Sequence, residues 1–438
     1  MRGIVAIIGR PNVGKSTLFN RLIERRQAIV DDQPGVTRDR NYGICEWNGH
    51  KFTVIDTGGY IPEDNSSIPT AIREQVEIAI EEADALLFLV DVKEGLTFDD
   101  YSIVEVLRRK KAKNVFLVVN KVDNPARDFL AGEFYSLPHD YFFTISAING
   151  SGTGDLLDQI VRVLPSTTED DKDTEGQVPK ISFVGRPNVG KSSLINALMG
   201  RTVNIVSDVP GTTRDAIYTR YRAFGFDYYL VDTAGLRKAK KVKDQIEFYA
   251  AIRTIRAIQH SDIVCLVIDA TEGLQAQDLH ILSLIERHKR GMIILYNKWD
   301  LVEKYPNIEK DYIDYTLKRI APLSDIPILF ISATEKIRIY KAMETVKQLF
   351  EKRQTLIPTH HLNEVLLPIV KQTPPPSVAG KSIKIKFITQ VNASNPSFVF
   401  FTNHPKLIPN SYKRFLEKRI REHFGFEGWI ISIYFRES

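Results

Sequence analysis

The octapeptide Gly-Arg-Pro-Asn-Val-Gly-Lys-Ser occurs at residues 9–16 and returns at 185–192. Each copy follows an apolar run, Ile4–Ile8 or Ile181–Val184, and opens a helical pattern. That is the setting in which a Gly-x-x-x-x-Gly-Lys-Ser loop wraps a phosphate. Gly9 and Gly14, like Gly185 and Gly190, let the backbone close around an anion without a Cβ clash. Successive N–H groups and the positive end of the helix then hold the anion. Lys15 and Lys191 are placed to reach the β- and γ-phosphates. The hydroxyls of Ser16 and Ser192 suit Mg²⁺, a hard cation that prefers oxygen. Val13, Thr17, Val189 and Ser193 complete the two loops.

Further polar residues follow each loop in the same order. Asp56 ends a strand pattern, where a carboxylate can hold Mg²⁺ through water, and Gly59 can offer its N–H to a γ-phosphate. Thr37 lies in a polar loop, Pro-Gly-Val-Thr-Arg, and can complete the Mg²⁺ shell only while a γ-phosphate is present, so hydrolysis would release the loop. Asp232, Gly235 and Thr213 are the counterparts. Lys15, Thr37 and Gly59, with Lys191, Thr213 and Gly235, are therefore the candidate catalytic groups. Alone, an Asp-Thr-x-Gly turn is a common loop; its specificity comes from standing in series with the phosphate loop.

Asn120, Lys121 and Asp123, repeated as Asn297, Lys298 and Asp300, form an Asn-Lys-x-Asp motif. Guanine presents N1–H and a 2-amino group side by side, and one carboxylate matches both donors. Adenine has an acceptor at N1 and no 2-amino group, so Asp123 rejects it. Ser146-Ala147 and Ser332-Ala333 each follow a late strand, where a backbone N–H can meet guanine O6. The series reads as GTP rather than ATP.

These residues need strands that end, and helices that begin, along one edge of a sheet. Apolar runs at Phe52–Ile55, Ala85–Val90, Val115–Val119 and Tyr141–Ile145 alternate with helical patterns such as Ala71–Glu82 and Asp99–Lys111. Strands separated by helices imply a mostly parallel sheet, here six-stranded, covered on both faces. The order restarts at Lys180. The motif offset is 176 at the phosphate loop and 186 at the Ser-Ala pair, so insertions accumulate late in the second copy. A period this long is a domain duplication rather than a solenoid.

The expected domains are 1–165, an acidic linker at 166–178, a second nucleotide domain at 179–353, and an α+β domain at 357–438. In the last, Ile383–Phe387, Ser397–Thr402 and Trp429–Phe435 read as strands. Tyr412, Phe415, Leu416, Ile420 and Phe424 fall at helical spacing ahead of a C-capping Gly425.

The full chain of 438 residues has a net charge of +5, and from Pro358 onward eleven Lys/Arg stand against five Asp/Glu. The basic character thus belongs to the last domain and points to an anionic partner such as nucleic acid. Cys45 and Cys265 lie in different repeats, giving neither a disulfide framework nor a metal cluster. No apolar run reaches the roughly 18–20 residues of a membrane helix. A cytoplasmic monomer without a membrane partner is expected.

The two nucleotide segments resemble the translation-factor class of GTPases, in its Era-like branch, through Pro-Asn-x-Gly-Lys-Ser and a Thr-Arg-Asp switch. Two in tandem with a small third domain are similar to the EngA (Der) family over nearly the whole chain. Further resemblance lies in Asp56-Thr-Gly-Gly-Tyr60, Asp232-Thr-Ala-Gly-Leu236-Arg-Lys and Ile252-Arg-Thr-Ile-Arg-Ala-Ile258. It implies a bacterial GTPase that acts in assembly of the large (50S) ribosomal subunit. It also implies a KH-like C-terminal domain and two nucleotide switches that control binding to rRNA and the ribosome.

Three departures bear on mechanism. Ras-type GTPases place a water-orienting glutamine after the switch glycine, whereas Tyr60 and Leu236 stand here. The resemblance implies K⁺ in its stead, held partly by Asn12 or Asn188; the alternative is that these asparagines satisfy local backbone groups. Slow intrinsic hydrolysis follows either way. Ser146-Ala-Ile-Asn-Gly150 contains a glycine that Ser332-Ala-Thr-Glu-Lys336 lacks, so the two sites need not be equal. One alternative is a GTP-dependent scaffold in which one domain binds nucleotide without significant turnover. No Gly-x-x-Gly loop lies between the helices of the last domain, which argues against the usual KH clamp on single-stranded RNA.

Overall fold

The computed structural model describes residues 3–24, 42–60, 68–165, 178–199, 218–232, 246–323, 325–378 and 380–437. The chain falls into two compact units, Met1–Glu175 with Lys241–Arg253, and Gly176–Lys240 with Thr254–Ser438. Residues 166–177, nearly all of the expected linker, lie outside the described residues.

In the first repeat the elements run β1 (Ile4–Ile8), α1 (Lys15–Glu24), β2 (Tyr42–Trp47), β3 (His50–Asp56), α2 (Ile68–Glu82), β4 (Ala85–Asp91), α3 (Phe98–Arg109), β5 (Val115–Asn120), α4 (Pro125–Leu130), β6 (Tyr141–Thr144) and α5 (Thr153–Val163). The sheet order is β2-β3-β1-β4-β5-β6. All its pairings are parallel except the β2–β3 hairpin. β1, β4 and β5 are buried along their whole length, which explains their apolar runs before the polar Asp91 and Asn120 at the ends of β4 and β5. The hairpin turns at Asn48-Gly49, with φ of 47° and 80°. Asn-Gly supplies the two left-handed residues that a tight hairpin turn demands. The sequence reading did not resolve β2, although Asn48-Gly49 is its signal.

The second repeat runs β7 (Lys180–Val184), α6 (Lys191–Met199), β8 (Tyr218–Ala223), β9 (Phe226–Val231), α7 (Ile246–His260), β10 (Ile263–Asp269), α8 (Ala276–Arg287), β11 (Gly291–Asn297), α9 (Ile308–Ile320), β12 (Ile328–Phe330) and α10 (Ile339–Gln354). Its sheet order, β12-β11-β10-β7-β9-β8, is the first sheet read from the other edge.

The C-terminal region adds α11 (Thr359–Gln372), β13 (Ile385–Val391), β14 (Ser397–Thr402), α12 (Asn410–Phe424) and β15 (Ser432–Glu437). β14 is central, antiparallel to β13 and parallel to β15. α11 was not anticipated, although Leu362, Leu366 and Val370, all buried, keep the i, i+4 spacing of one helical face. β13 lies later than the expected Ile383–Phe387, because its pairing begins at Ile385, opposite Thr402 at the end of β14, and runs on to Val391, opposite Ser397. β15 starts at Ser432 rather than Trp429, because Trp429 has another use.

The second nucleotide domain and the C-terminal domain share one hydrophobic core, running from Ile181 through Val346 and Phe350 to Phe400, Leu416 and Trp429. Trp429 is 1% exposed, and its indole N–H donates to the Leu349 carbonyl at 2.8 Å. A Cβ on Gly291 would meet this ring at 2.9 Å, so the start of β11 is glycine. Met292 N–H donates to Gly428 O at 2.7 Å, and Gly428 N–H to Asp325 O at 2.6 Å. The expected boundary near 354–357 therefore separates two segments of a single compact unit. An indole buried among aliphatic side chains is a large apolar anchor.

Among the described residues no helix is long and apolar enough to cross a membrane. Cys45 and Cys265 are buried and form no disulfide.

Candidate nucleotide-binding sites

Both phosphate-type loops join the end of a central parallel strand to the start of a helix, β1 to α1 and β7 to α6. Gly9 and Gly14 have φ of 150° and 98°, and Gly185 and Gly190 have 152° and 95°. Only glycine enters this region without strain. A Cβ on Gly14 would run into the Asn120 amide, and one on Gly190 into that of Asn297. Val13 and Val189 are buried and pin the loops to the cores. Ser16, Thr17, Ser192 and Ser193 stand exposed at the helix N-termini.

Lys15 Nζ donates to the carbonyls of Gly9 at 2.9 Å and Arg10 at 2.7 Å. Lys191 Nζ makes the same bonds to Gly185 and Arg186. Burial lowers both ammonium pKa values to about 8. A lysine drawn across its own loop and partly stripped of water is poised for an anion that restores its charge. Ser16 Oγ donates to Asp56 Oδ2 at 2.6 Å, and Asp56 Oδ1 accepts from Gly58 N–H at 2.9 Å. A hydroxyl and a carboxylate side by side, facing a phosphate loop, are a fitting donor set for Mg²⁺, which binds one or two protein oxygens and completes its shell with phosphate and water. Gly59 follows in the turn Thr57–Tyr60. In the second repeat Asp232 lies one residue past β9. Thr37, Thr213, Gly235 and Leu236 lie outside the described residues.

The Asn-Lys-x-Asp motifs leave β5 and β11. Asn120 is 2% exposed. Its Nδ2 donates to Val13 O at 2.8 Å and its Oδ1 accepts from Ala147 N–H at 3.0 Å. Asn297 repeats this with Val189 O and Ala333 N–H, both at 2.9 Å. The asparagine is a strut tying the phosphate loop to the Ser-Ala loop. Lys121 and Lys298 adopt left-handed backbones, φ 67° and 62°. Lys121 Nζ reaches Asn12 O at 2.9 Å and pairs with buried Asp91, so its stem lies over the loop. Lys298 pairs with Asp269 in the same way.

Asp123 and Asp300 differ. Asp123 Oδ1 accepts from Ser146 Oγ at 2.8 Å, and Oδ2 pairs with Arg127 and with Lys93. The Ser146 hydroxyl, aided by Lys93 and Arg127, holds its carboxyl below the usual carboxylate range. Asp300 is exposed and accepts no side-chain hydrogen bond from the described residues.

The missing glycine in the second Ser-Ala loop does not change the loop's path. Gly150 and Gly152 have φ of 82° and 71°; the equivalents Lys336 and Arg338 have 56° and 54°. Two side-chain-bearing residues hold the left-handed conformation that the first repeat gives to glycine. This costs on the order of 1 kcal/mol each.

Sequence reasoning missed a paired support beneath each loop. Arg10 donates to buried Asp100 at 3.3 Å and to Glu94 at 2.6 Å. Arg186 contacts Asp278 at 3.0 Å and Glu272 at 2.8 Å. Asp100 and Asp278 also take the backbone N–H of Thr97 and Gln275, closing the first turns of α3 and α8. The repeated signal was available: both Arg10 and Arg186 and both Asp100 and Asp278 recur in the two copies.

Tandem strand–loop–helix phosphate sites, each tied through an asparagine to an Asn-Lys-x-Asp loop, define a double P-loop GTPase. Residues 4–121 and 180–298 match the family described as 50S ribosome-binding GTPase. Residues 357–436 match the KH-domain-like C-terminal region of EngA bacterial GTPase enzymes. GTPase Der of Porphyromonas gingivalis is 50% identical over 100% of both chains. GTPase Der of Christiangramia forsetii is 51% identical, again over 100% of each. The chain belongs to the EngA (Der) family of GTPases, and guanine nucleotide is its ligand.

Proposed function

We propose that this GTPase is a cytoplasmic assembly factor for the large (50S) ribosomal subunit, acting as a monomer, and that its two nucleotide sites control its binding to the ribosome and rRNA. The observation that carries this reading is the match of both nucleotide repeats to 50S ribosome-binding GTPases, joined to a basic C-terminal domain.

The roles are those that the sequence motifs assign, supported by the described loops. The loop N–H groups and Lys15 or Lys191 take the phosphates. Ser16 and Asp56, with Ser192 and Asp232, would hold Mg²⁺, and Thr37 and Thr213 would close its shell in the triphosphate state. Mg²⁺ when bound neutralises charge on the β- and γ-phosphate oxygens. Gly59 and Gly235 offer N–H groups to the γ-phosphate. Asp123 and Asp300 read guanine, and the Ala147 and Ala333 N–H groups face O6 while Asn120 and Asn297 fix their loops. Tyr60 and Leu236 cannot orient water through an amide, so turnover is slow without help. Asn12 and Asn188 are left-handed and exposed, and their amides bond to no described residue. Each amide oxygen is thus available to a K⁺ ion at the loop, which supports the metal reading over local backbone capping.

A second reading is a scaffold in which the second site holds GTP without turnover. The exposed Asp300, lacking the hydroxyl support that Ser146 gives Asp123, favours it. Co-sedimentation with ribosomal subunits tests the leading reading. Pelleting with the large subunit that depends on the GTP analogue versus GDP supports it. Absence of pelleting in every nucleotide state overturns the ribosomal partner.

A further inference from the structure

The C-terminal sheet has two unlike faces. Ile388, Phe398 and Phe400 are fully buried in the shared core with α11 and α12. Pleating sends the alternate residues to the other face. There Phe387 stands opposite Phe401 on β14, with ring centroids 5.8 Å apart. Across β14, Val399 pairs with Tyr434 and Phe401 with Arg436. Phe387 and Tyr434 are 44% and 47% exposed. Phe387, Phe401 and Arg436 thus form one cross-strand row, with Tyr434 diagonal to Phe401 in the next; Ser397, Val399 and Ser432 on the same face are buried, but the two rings at its open end stand where a sheet that needed only solubility would carry polar residues.

The row is bordered by cations. Lys289 Nζ lies 5.4 Å from the Tyr434 ring centre and donates to Ser432 Oγ at 2.7 Å. Arg436 ends the row, and Lys384 and Lys386 are exposed at the start of β13. The nearest strand acid, Glu437, alternates to the other face. The outer edge of β13 is closed, because Asn363 bonds both the N–H and the carbonyl of Ile388. Strand addition by a partner peptide is therefore blocked at that position.

Exposed rings flanked by lysine and arginine suit a ligand with flat apolar faces on an anionic backbone. We propose that this face is a stacking platform for unpaired bases of single-stranded RNA, with phosphates on Lys289, Lys386 and Arg436. The inference rests on the RNA partner proposed above and deepens it. It also replaces the clamp that a Gly-x-x-Gly loop between the helices would provide. Stacking is sequence-tolerant, because every base has a π face.

The test uses the full chain and a labelled 12-nucleotide single-stranded RNA of mixed sequence, with a duplex of equal length as control. Single-strand preference is expected, and Phe387→Ala with Tyr434→Ala weakens binding at least about tenfold. Lys289→Ala with Arg436→Ala lowers the slope of log K against log salt by about 1.4. GTP hydrolysis at its wild-type rate shows that each variant is folded. Equal binding of duplex and single strand, or unchanged affinity in the aromatic variant, overturns the platform. Subunit co-sedimentation separates the two claims: RNA binding lost in the aromatic variant, with no pelleting of the wild type, keeps the platform and removes the ribosome. Wild-type pelleting without oligonucleotide binding removes the platform alone.

Discussion

Asp100 lies 3.3 Å from Arg10 across 90 residues of chain, with its carboxylate wholly buried and the guanidinium nearly so. The pair joins the phosphate loop to α3, and Arg186 with Asp278 reproduces it in the second repeat. Breaking a buried pair by removing one partner strands a charge and costs about 3–5 kcal/mol. Asp100→Ala is therefore expected to destabilise the first domain by about 3 kcal/mol and to weaken its nucleotide affinity. Chemical denaturation read with and without GDP checks both.

Lys15 and Lys191 yield a pH signature. Burial lowers both to about 8, below the ordinary lysine value near 10.4. The unfolded chain binds more protons than the nucleotide-free fold between these values, so the lysines make stability rise with pH from about 8 to 10.4. Bound phosphates raise the pKa again. Nucleotide binding at pH 9 should take up protons, approaching one per site, and affinity should fall as pH rises above 8. Calorimetry in two buffers of different ionisation enthalpy measures this uptake. Lys15→Ala should remove the share of the first site and Lys191→Ala that of the second.

Lys336 occupies a left-handed position that Gly150 fills in the first repeat. Lys336→Gly relieves the strain but adds freedom to the unfolded chain. A net gain of about 0.5 kcal/mol in the second unit is expected, with unchanged GDP affinity, because Ala333 keeps its bond to Asn297. Thermal unfolding and GDP titration check this.

Asn120 bonds two loops at once, so Asn120→Ala should lower GDP affinity at the first site by about thirtyfold. Two buried bonds at about 1 kcal/mol each support that size. GDP titration of a chain that also carries Lys191→Ala isolates the first site.

Much of this was legible in the sequence because the nucleotide motifs are local. A phosphate loop is eight consecutive residues, and its strand and helix are fixed by composition on either side. β4 and β5 were readable for the same reason, since their buried parallel interiors carry no polar residues to blur the pattern. Relations between distant residues were not legible. The Arg10–Asp100 pair spans two elements; its only sequence signal is that Arg186 and Asp278 recur at matching places in the second copy. The Asn120 strut depends on where three loops meet. The merging of the second nucleotide domain with the C-terminal domain rests on Trp429 docking against Gly291, which a strand pattern over 429–435 concealed. The loop of Ser332 shows the reverse case: its composition suggested a departure, yet Lys336 and Arg338 adopt the glycine conformations.

The central claim is two complete, separately addressable guanine sites in one chain. A carboxylate accepts guanine N1–H and the 2-amino group, whereas an amide in its place can donate to the 2-oxo group of xanthine. Calorimetric stoichiometry of wild type, Asp123→Asn and Asp300→Asn tests the claim directly. Two GDP per wild-type chain are predicted, with one in each variant and the second site restored by xanthosine diphosphate. One GDP per wild-type chain, or loss of both sites in a single variant, would contradict it.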